Sequence, residues 1–497
     1  MFDLKKQNSY IKMYTSYTTT ILDTGEIRVK KSKRFITTRP LNGKKLGVML
    51  VGLGGNNGST FTAGLLAHSK NITWEKKDGL HEVEFVGSIS QVGSVHIGYD
   101  KHGKPHSKLF KEMTQMYNPD DIIVGGWDIC RDDLYMAAKK AKVLDIDLLN
   151  KLKPHLTEIV PLPSVFDPSF LASNQKERAN NVLHGALQDK LNHIKSDIVK
   201  FKKEHKLEKV IVLWTASTER FTRGTWPDAK ALLNSIQKGD TEISPSILFA
   251  VAAIETGCIF LNGSPQNTIV PSIIDLAEKK GTFVGGEDFK TGQTKLKSAL
   301  VDWLACSGIR PLSIVSYNHL GNNDGKNLSE APQFRSKEIT KKNVIDDVVE
   351  GNPELFPNGN PDHTVVIKYV PAVGDSKRAM DEYYSQLFLD GRHTLALHNT
   401  CEDSLLAVPL MLDIILFAEL FSRVRIGQEY EDTKLPDSQG VGTVLSPLSF
   451  FFKAPIVNKG EPTINAFFKQ RYGLENFFRV LAQLPPLDHI TLPVCSK

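Results

Sequence analysis

From Leu46 to Val51 the chain is continuously apolar or glycine, LGVMLV; it then breaks into the glycine-rich GLGGNNGST of residues 52–60 and resumes an apolar helical pattern through Leu66. That order predicts strand, tight loop and helix. Apolar runs ending in glycine or polar residues recur at 83–87, 122–126, Val210–Trp214, Ile259–Asn262 and 283–286, mostly with helix-like segments between them. Parallel strands need such crossovers, so the expected fold is α/β, a doubly wound Rossmann-type sheet.

Beyond residue 309 the texture changes. β-like runs at 309–317, 364–370, 386–389 and 394–398 have little helix between the last two, where Asp390-Gly391 marks a hairpin. A second, α+β unit is expected here. The division that follows is an N-terminal segment 1–45, a nucleotide-binding domain 46–293, an inserted α+β domain 294–405, and a return to the first domain over 406–497, with a surface loop at 350–361.

A chain of 497 residues is long enough for more than one core. Its 61 Lys+Arg nearly balance 56 Asp+Glu, which gives no bulk attraction for nucleic acid. The most basic stretch, 195–209, spaces its lysines with Asp197, Glu204 and Glu208 as a solvated helix face would. Five scattered cysteines, Cys130, Cys258, Cys306, Cys401 and Cys495, read as reduced thiols without zinc spacing, and no metal site is read. The first residues lack a secretory signal pattern, so a cytoplasmic location is expected. The apolar stretch 404–421 is interrupted by Pro409, Asp413 and Glu419 and reads as a buried helix, not a bilayer span; no membrane partner is expected.

In the glycine loop, Gly52 can make the tight turn, Gly54 can admit the backbone to a pyrophosphate, and Gly58 can pack the helix closely. Unpaired N–H groups and the positive helix end would meet the anion, with Asn56, Asn57, Ser59 and Thr60 as added donors. A glycine-rich surface turn is the alternative. The acidic residue expected at the end of the second strand is missing, since 83–87 leads into Ser88, Ile89 and Ser90. Asp128, in GGWDI, ends the next strand and can accept a ribose hydroxyl; a helix N-cap is the competing role.

A second dense region, 317–340, reads YNHLGNNDGKNLSEAPQFRSKEIT, a strand end rich in polar side chains. VGDSK, with Asp375 and Lys377, and NTCEDS, with Glu402 and Asp403, follow β-like runs too, so Lys337, Lys341, Lys377 and Lys453 could meet in space. Positioned ammonium groups suit phosphate and developing oxyanions. Taken singly, each lysine is better read as a solvated surface charge.

Twelve motifs in order, GLGGNNGST, GWDI, NQKERANN, WTASTERF, NGSPQNT, GEDFKTGQTKLKS, SYNHLGNNDG, FRSKEI, VGDSK, MDEYYS, HNTCEDSLLA and FKAP, together resemble the myo-inositol-1-phosphate synthases of eukaryotic type from about residue 46 to 480. The resemblance implies an NAD-dependent isomerase that turns glucose 6-phosphate into 1D-myo-inositol 3-phosphate by oxidation, enolisation, intramolecular aldol closure and reduction. It also implies a homotetramer built by the inserted domain. Carried over by motif, Gly54, Gly55, Asn56, Asn57, Gly58, Ser59, Asp128, Ser164, Val165, Gln175, Arg178, Thr215, Ala216, Ser217, Thr218, Gly263 and Ser264 surround NAD. Asp288, Thr291, Asn322, Asn323, Asp324, Gly374, Asp375, Asp403 and Ser404 fall where cofactor and substrate meet, and Lys337, Lys341, Lys377 and Lys453, with Asp288 and Asp403, form the catalytic set. Ser217 and Thr291 stand where the family commonly has Asn and Ser, each keeping a hydrogen-bonding group. The region 318–350 is the candidate lid. A simple NAD-linked sugar-phosphate dehydrogenase and a catalytically silent NAD- and phosphosugar-binding scaffold are the other readings.

Overall fold

The computed structural model describes residues 12–428 and 439–487. Its centre is a six-stranded parallel sheet in the order Val284–Gly285, Ile259–Asn262, Val210–Trp214, Leu46–Val51, Ile122–Asp128, Leu162–Pro163. The Leu46–Val51, Val210–Trp214 and Ile259–Asn262 strands are buried along their whole length, which is why they read as unbroken apolar runs. Helices cover both faces. On one lie Asn56–Ser69 and Asp403–Arg423; on the other, Pro245–Glu255 brings Phe249 against Trp127 and Trp214.

The 83–87 segment is not a strand. Leu46–Val51 pairs directly with Ile122–Asp128, Val51 opposite Trp127, so no place remains between them. Residues 70–121 instead form an excursion carrying two short hairpins, Trp74–Lys76 with Gly79–His81 and Ser94–Tyr99 with Pro105–Leu109. Its backbone is held by a side chain: the N–H groups of Ile89 and Ser90 and the Ser88 hydroxyl donate to the buried Asp413 carboxylate at 2.6–2.8 Å. Apolar content alone could not distinguish this anchoring from sheet pairing.

The second sheet runs Asp362–Tyr369, Arg310–Leu320, Ser376–Gln386, Arg392–Glu402, the first pair parallel and the others antiparallel. The run expected at 386–389 is therefore the end of a longer strand and its turn. Gln386 faces Arg392 across the hairpin, and Leu389 and Asp390 adopt left-handed backbone at φ 54° and 58°. An antiparallel pair, Lys12–Ile21 with Ile27–Thr38, is joined by Val424–Gln428 after the long helix.

Helix Asp403–Arg423 is long and apolar enough to cross a membrane by length and composition, yet 78% of its most apolar window is buried inside the fold. It is the core helix that its interrupting polar residues indicate. The basic 195–209 stretch departs from a plain solvated face: Lys195 pairs with Glu255 at 2.8 Å, and Lys209, largely buried, donates to Glu419 at 3.0 Å and to Ser422 at 2.8 Å. Cys130, Cys258, Cys306 and Cys401 are free thiols, while Cys495 lies outside the described residues.

Candidate active site

Ligands of doubly wound sheets settle where neighbouring crossovers leave in opposite directions, beyond the carboxyl ends of the strands. Here that place lies between Leu46–Val51 and its neighbours, and a cavity of about 580 Å³ opens there. The first turn is built as its glycines require. Gly52 has φ +94°, and a Cβ on it would lie 2.7 Å from the Ala216 backbone. Gly58 sits in the first turn of the Asn56–Ser69 helix, where a Cβ would approach the Leu53 and Gly52 carbonyl oxygens to 2.4 and 2.6 Å. The helix N-terminus therefore presses on the loop, aiming unpaired N–H groups into the cavity.

Asp128 ends the strand beside this loop. Its Oδ2 accepts the Gly54 N–H at 3.0 Å and its Oδ1 the Cys130 N–H at 2.9 Å, and Arg178 lies 3.5 Å away. Asp133, not Asp128, caps the following helix by accepting from the Met136 N–H, so the capping role does not apply to Asp128. Burial raises the Asp128 pKa, against the opposing pull of Arg178 and the two backbone donors. Because the 70–121 excursion is not part of the sheet, Asp128 occupies the end of the strand next to the glycine loop. That is the strand end at which nucleotide-binding sheets carry an acidic residue.

The four lysines come from three separate elements, Lys337 and Lys341 sharing one helix. Lys337, on helix Ala331–Lys342, donates to Asp288 Oδ1 at 2.9 Å; Lys453, on the C-terminal return, reaches the same oxygen at 3.0 Å. Thr340, one turn after Lys337, donates to Asp288 Oδ2 at 2.7 Å. Lys377, near the start of Ser376–Gln386, pairs with Asp403 at 3.0 Å. Lys341 is buried behind the cavity wall and hydrogen-bonds the Gln293 Oε1.

Burial works to raise the Asp288 pKa, but Lys337 and Lys453 outweigh it and hold the carboxyl at about 2. Burial brings Lys453 down to about 7 even with Asp288 beside it. Lys341 is held well below the usual lysine range, by burial first and then by Lys377, Lys453, Lys297 and Lys337. Lys337 and Lys377 are shifted upward, because the carboxylates beside each outweigh the effect of burial. A site whose cations suppress one another's charge is one that an anion completes.

Asp375 ties the two halves together. Its carboxylate accepts from Asn56 at 3.0 Å, Asn322 at 3.2 Å, and the Ser404 N–H and hydroxyl at 2.8 and 3.0 Å. The glycine loop, the Asn322 turn and the long helix thus share one acceptor. Across the cavity mouth, Asn323 donates to Gln175 at 2.9 Å and Asn327 to the Thr218 carbonyl at 2.8 Å.

Every residue expected at the site lines the cavity except Gly58, Ser59, Gln175, Lys341, Asp375 and Ser404, which stand directly behind lining groups as described or, for Ser59, within the helix turn, its hydroxyl donating to Gly55 O. Sequence reasoning missed Thr340 and Gln293. Thr340 lies three positions after Lys337, a helix neighbour that the spacing could have flagged. Gln293 sits two residues after Thr291, with nothing in its type to mark it.

A nucleotide-binding crevice with a buried acid at the ribose end and a lysine–carboxylate cluster at the other defines an NAD-dependent enzyme acting on an anionic substrate. A family model described as myo-inositol-1-phosphate synthase matches residues 46–479. The chain is 51% identical over 473 residues to mouse inositol-3-phosphate synthase 1, covering 94% of this chain and 84% of that protein, and 51% identical over 452 residues to Arabidopsis thaliana inositol-3-phosphate synthase isozyme 1, covering 90% and 88%. The crystal structure of inositol-3-phosphate synthase from Caenorhabditis elegans superposes with a TM-score of 0.92 at 47% identity, covering 98% of this chain and 97% of that one. The chain belongs to the myo-inositol-1-phosphate synthase family.

Proposed function

We propose that this chain converts D-glucose 6-phosphate to 1D-myo-inositol 3-phosphate, the committed ring closure of inositol biosynthesis. One observation carries the reading: the Asp288 carboxylate shared by Lys337 and Lys453 faces the same cavity as the Gly54–Asp128 contact, so a nicotinamide and a phosphosugar can be held together. In this reading residues 46–293 hold the cofactor, 294–405 build the substrate side and the oligomer, and 406–497 return Lys453 to the first domain.

The residues fit NAD: Gly58 lets the helix N-terminus close onto the glycine loop, where any Cβ would strike the Leu53 and Gly52 carbonyl oxygens, and buried Asp128 offers an acceptor at the ribose end. When bound, NAD supplies the hydride acceptor for C5 and the hydride donor for the closing reduction. Lys337 and Lys377 stand at the substrate oxygens that gain and lose charge, O5 and O1, where each can stabilise an oxyanion and pass a proton. Lys341 and Lys453 hold the phosphate and hydroxyls. Asp288 and Asp403 fix the ammonium groups in place. With C5 a ketone, the C6 hydrogens become acidic enough to remove, and the substrate's own phosphate can serve as a base for that step; attack of C6 on the C1 aldehyde then closes the ring. Holding the open chain in a near-cyclic pose contributes an effective molarity of about 10⁵ M or more. The 318–350 region, latched to Gln175 and Thr218, excludes water as the lid.

We assign the protein to the cytoplasm as a homotetramer. Supporting the assembly, Arg392–Glu402 is an open edge strand and the hairpin tip exposes Phe388 and Leu389 at 88% and 85%. Light scattering should give four times the chain mass of 55.3 kDa.

Purified protein incubated with NAD⁺ and ¹³C-labelled glucose 6-phosphate should yield a cyclised inositol phosphate by NMR without NADH accumulation. Steady growth of NADH absorbance identifies a dehydrogenase; binding without any turnover identifies a scaffold.

A further inference from the structure

Gln293 lies in the first turn of helix Gly292–Cys306, and all four hydrogen-bonding positions of its amide are used. Its Oε1 accepts from Lys341 Nζ and from Asn318 Nδ2 at 3.0 Å; its Nε2 donates to Asp381 Oδ1 at 3.0 Å and to the Tyr317 carbonyl at 3.3 Å. Turned by half a rotation, the amide would set its oxygen against a carboxylate and a carbonyl, and its NH₂ against Lys341. Side-chain amides have no intrinsic preference between such orientations; their neighbours decide. Asn318 cannot decide, because its own amide can rotate and its Oδ1 has no partner. Asp381 and the Tyr317 carbonyl can, since each only accepts, and the carboxylate is the nearer at 3.0 Å and the charged one.

Asp381 is 4% exposed, on the inner face of Ser376–Gln386 opposite Ser316. Lys297, one helical turn beyond Gln293 and 1% exposed, has Asp381 as the carboxylate that opposes its burial, and its Nζ lies 2.7 Å from His363 Nε2. Nothing in the reaction requires this buried lysine–carboxylate layer, yet it stands directly behind Lys341, itself buried behind the cavity wall.

We propose that Asp381 is a positioning residue for Lys341: by accepting from Gln293 Nε2 it aims Gln293 Oε1 at the lysine and fixes where the ammonium group waits for the substrate. The inference rests on Lys341 holding the substrate, as set out above. Its test is a double-mutant cycle with Asp381→Asn and Lys341→Met in the full chain loaded with NAD, read as KM and kcat for glucose 6-phosphate and as the Kd for inorganic phosphate by calorimetry. Each single variant is expected to raise KM and Kd by roughly 10-fold, the scale of one charge-assisted hydrogen bond, with a smaller change in kcat. The double variant is expected to be no worse than Lys341→Met alone. Multiplying effects, or an unchanged KM in Asp381→Asn while Lys341→Met is impaired, would overturn the proposal and leave the role of Lys341 standing. An unchanged KM in Lys341→Met overturns that role and the proposal with it. If Asp381→Asn unfolds, Asp381→Glu keeps the charge facing Lys297 but displaces the oxygen, and the same non-additivity is expected.

Discussion

Lys453 and Asp288 are 165 residues apart in the chain, yet Nζ and Oδ1 meet at 3.0 Å, and the Lys453 N–H also donates to the Asp288 carbonyl at 2.8 Å. The C-terminal return is thereby pinned to the loop that carries the acid, and one carboxylate oxygen serves two lysines. Replacing Asp288 with Asn leaves Lys337 and Lys453 buried side by side without their shared anion. The expected outcome is a loss of about 100-fold or more in kcat, the scale seen when a preorganised charge is removed. Product formation followed by NMR checks it, and a melting curve separates it from unfolding.

The depressed lysines make substrate binding take up protons. Lys453, burdened chiefly by burial, titrates at about 7, so above that pH it is mostly neutral in the free site. A phosphate dianion beside it raises the pKa and draws a proton in. Calorimetry at pH 8 in two buffers of different ionisation enthalpy should therefore show net proton uptake on glucose 6-phosphate binding; release, or none, contradicts the electrostatics.

Two glycines on one helix give a controlled pair. Gly58→Ala forces a Cβ to within 2.4 Å of a backbone oxygen, whereas Gly64 has open space within 4 Å. Gly58→Ala should abolish measurable NAD binding by fluorescence quenching and lower Tm. Gly64→Ala should retain binding and stabilise by up to ~1 kcal/mol, the helix preference of alanine.

Alkaline pH should loosen the wall of the nucleotide site. Burial pushes the Glu287 carboxyl to about 8, against the Ile269 N–H it accepts at 2.7 Å. A folded-state value above the unfolded one means the group favours folding most below its unfolded pKa of 4.5, and this contribution is lost as pH rises through about 8. Glu287→Gln cannot ionise. The difference in Tm between it and the parent chain should shift in its favour from pH 6 to 9, measured by calorimetry; a constant difference argues against a protonated Glu287.

Lys337→Ala and Lys377→Ala are expected to lose turnover while keeping NAD affinity, because each lysine contacts a carboxylate at the substrate side of the cavity. Near-native turnover in either, by the same NMR assay, removes that residue from the catalytic set.

The sequence alone determined the strands that are buried on both faces, the glycine turn and the long core helix, because each leaves a local mark: an unbroken apolar run, glycine where no Cβ fits, a polar-interrupted apolar helix. It could not place 83–87, since an apolar segment tied down by Asp413 looks the same as one paired in a sheet. Nor could it distinguish a site acid from a helix cap at Asp128, until pairing of Val51 with Trp127 put that carboxylate beside Gly54. Motif resemblance named the lysines, but their company is tertiary. That Asp288 bridges Lys337 and Lys453, that Asp375 joins the glycine loop to the long helix, and that Gln293 and Asp381 stand behind Lys341 depends on contacts between segments far apart in the chain. Burial then sets their charges, and burial is a property no single segment possesses.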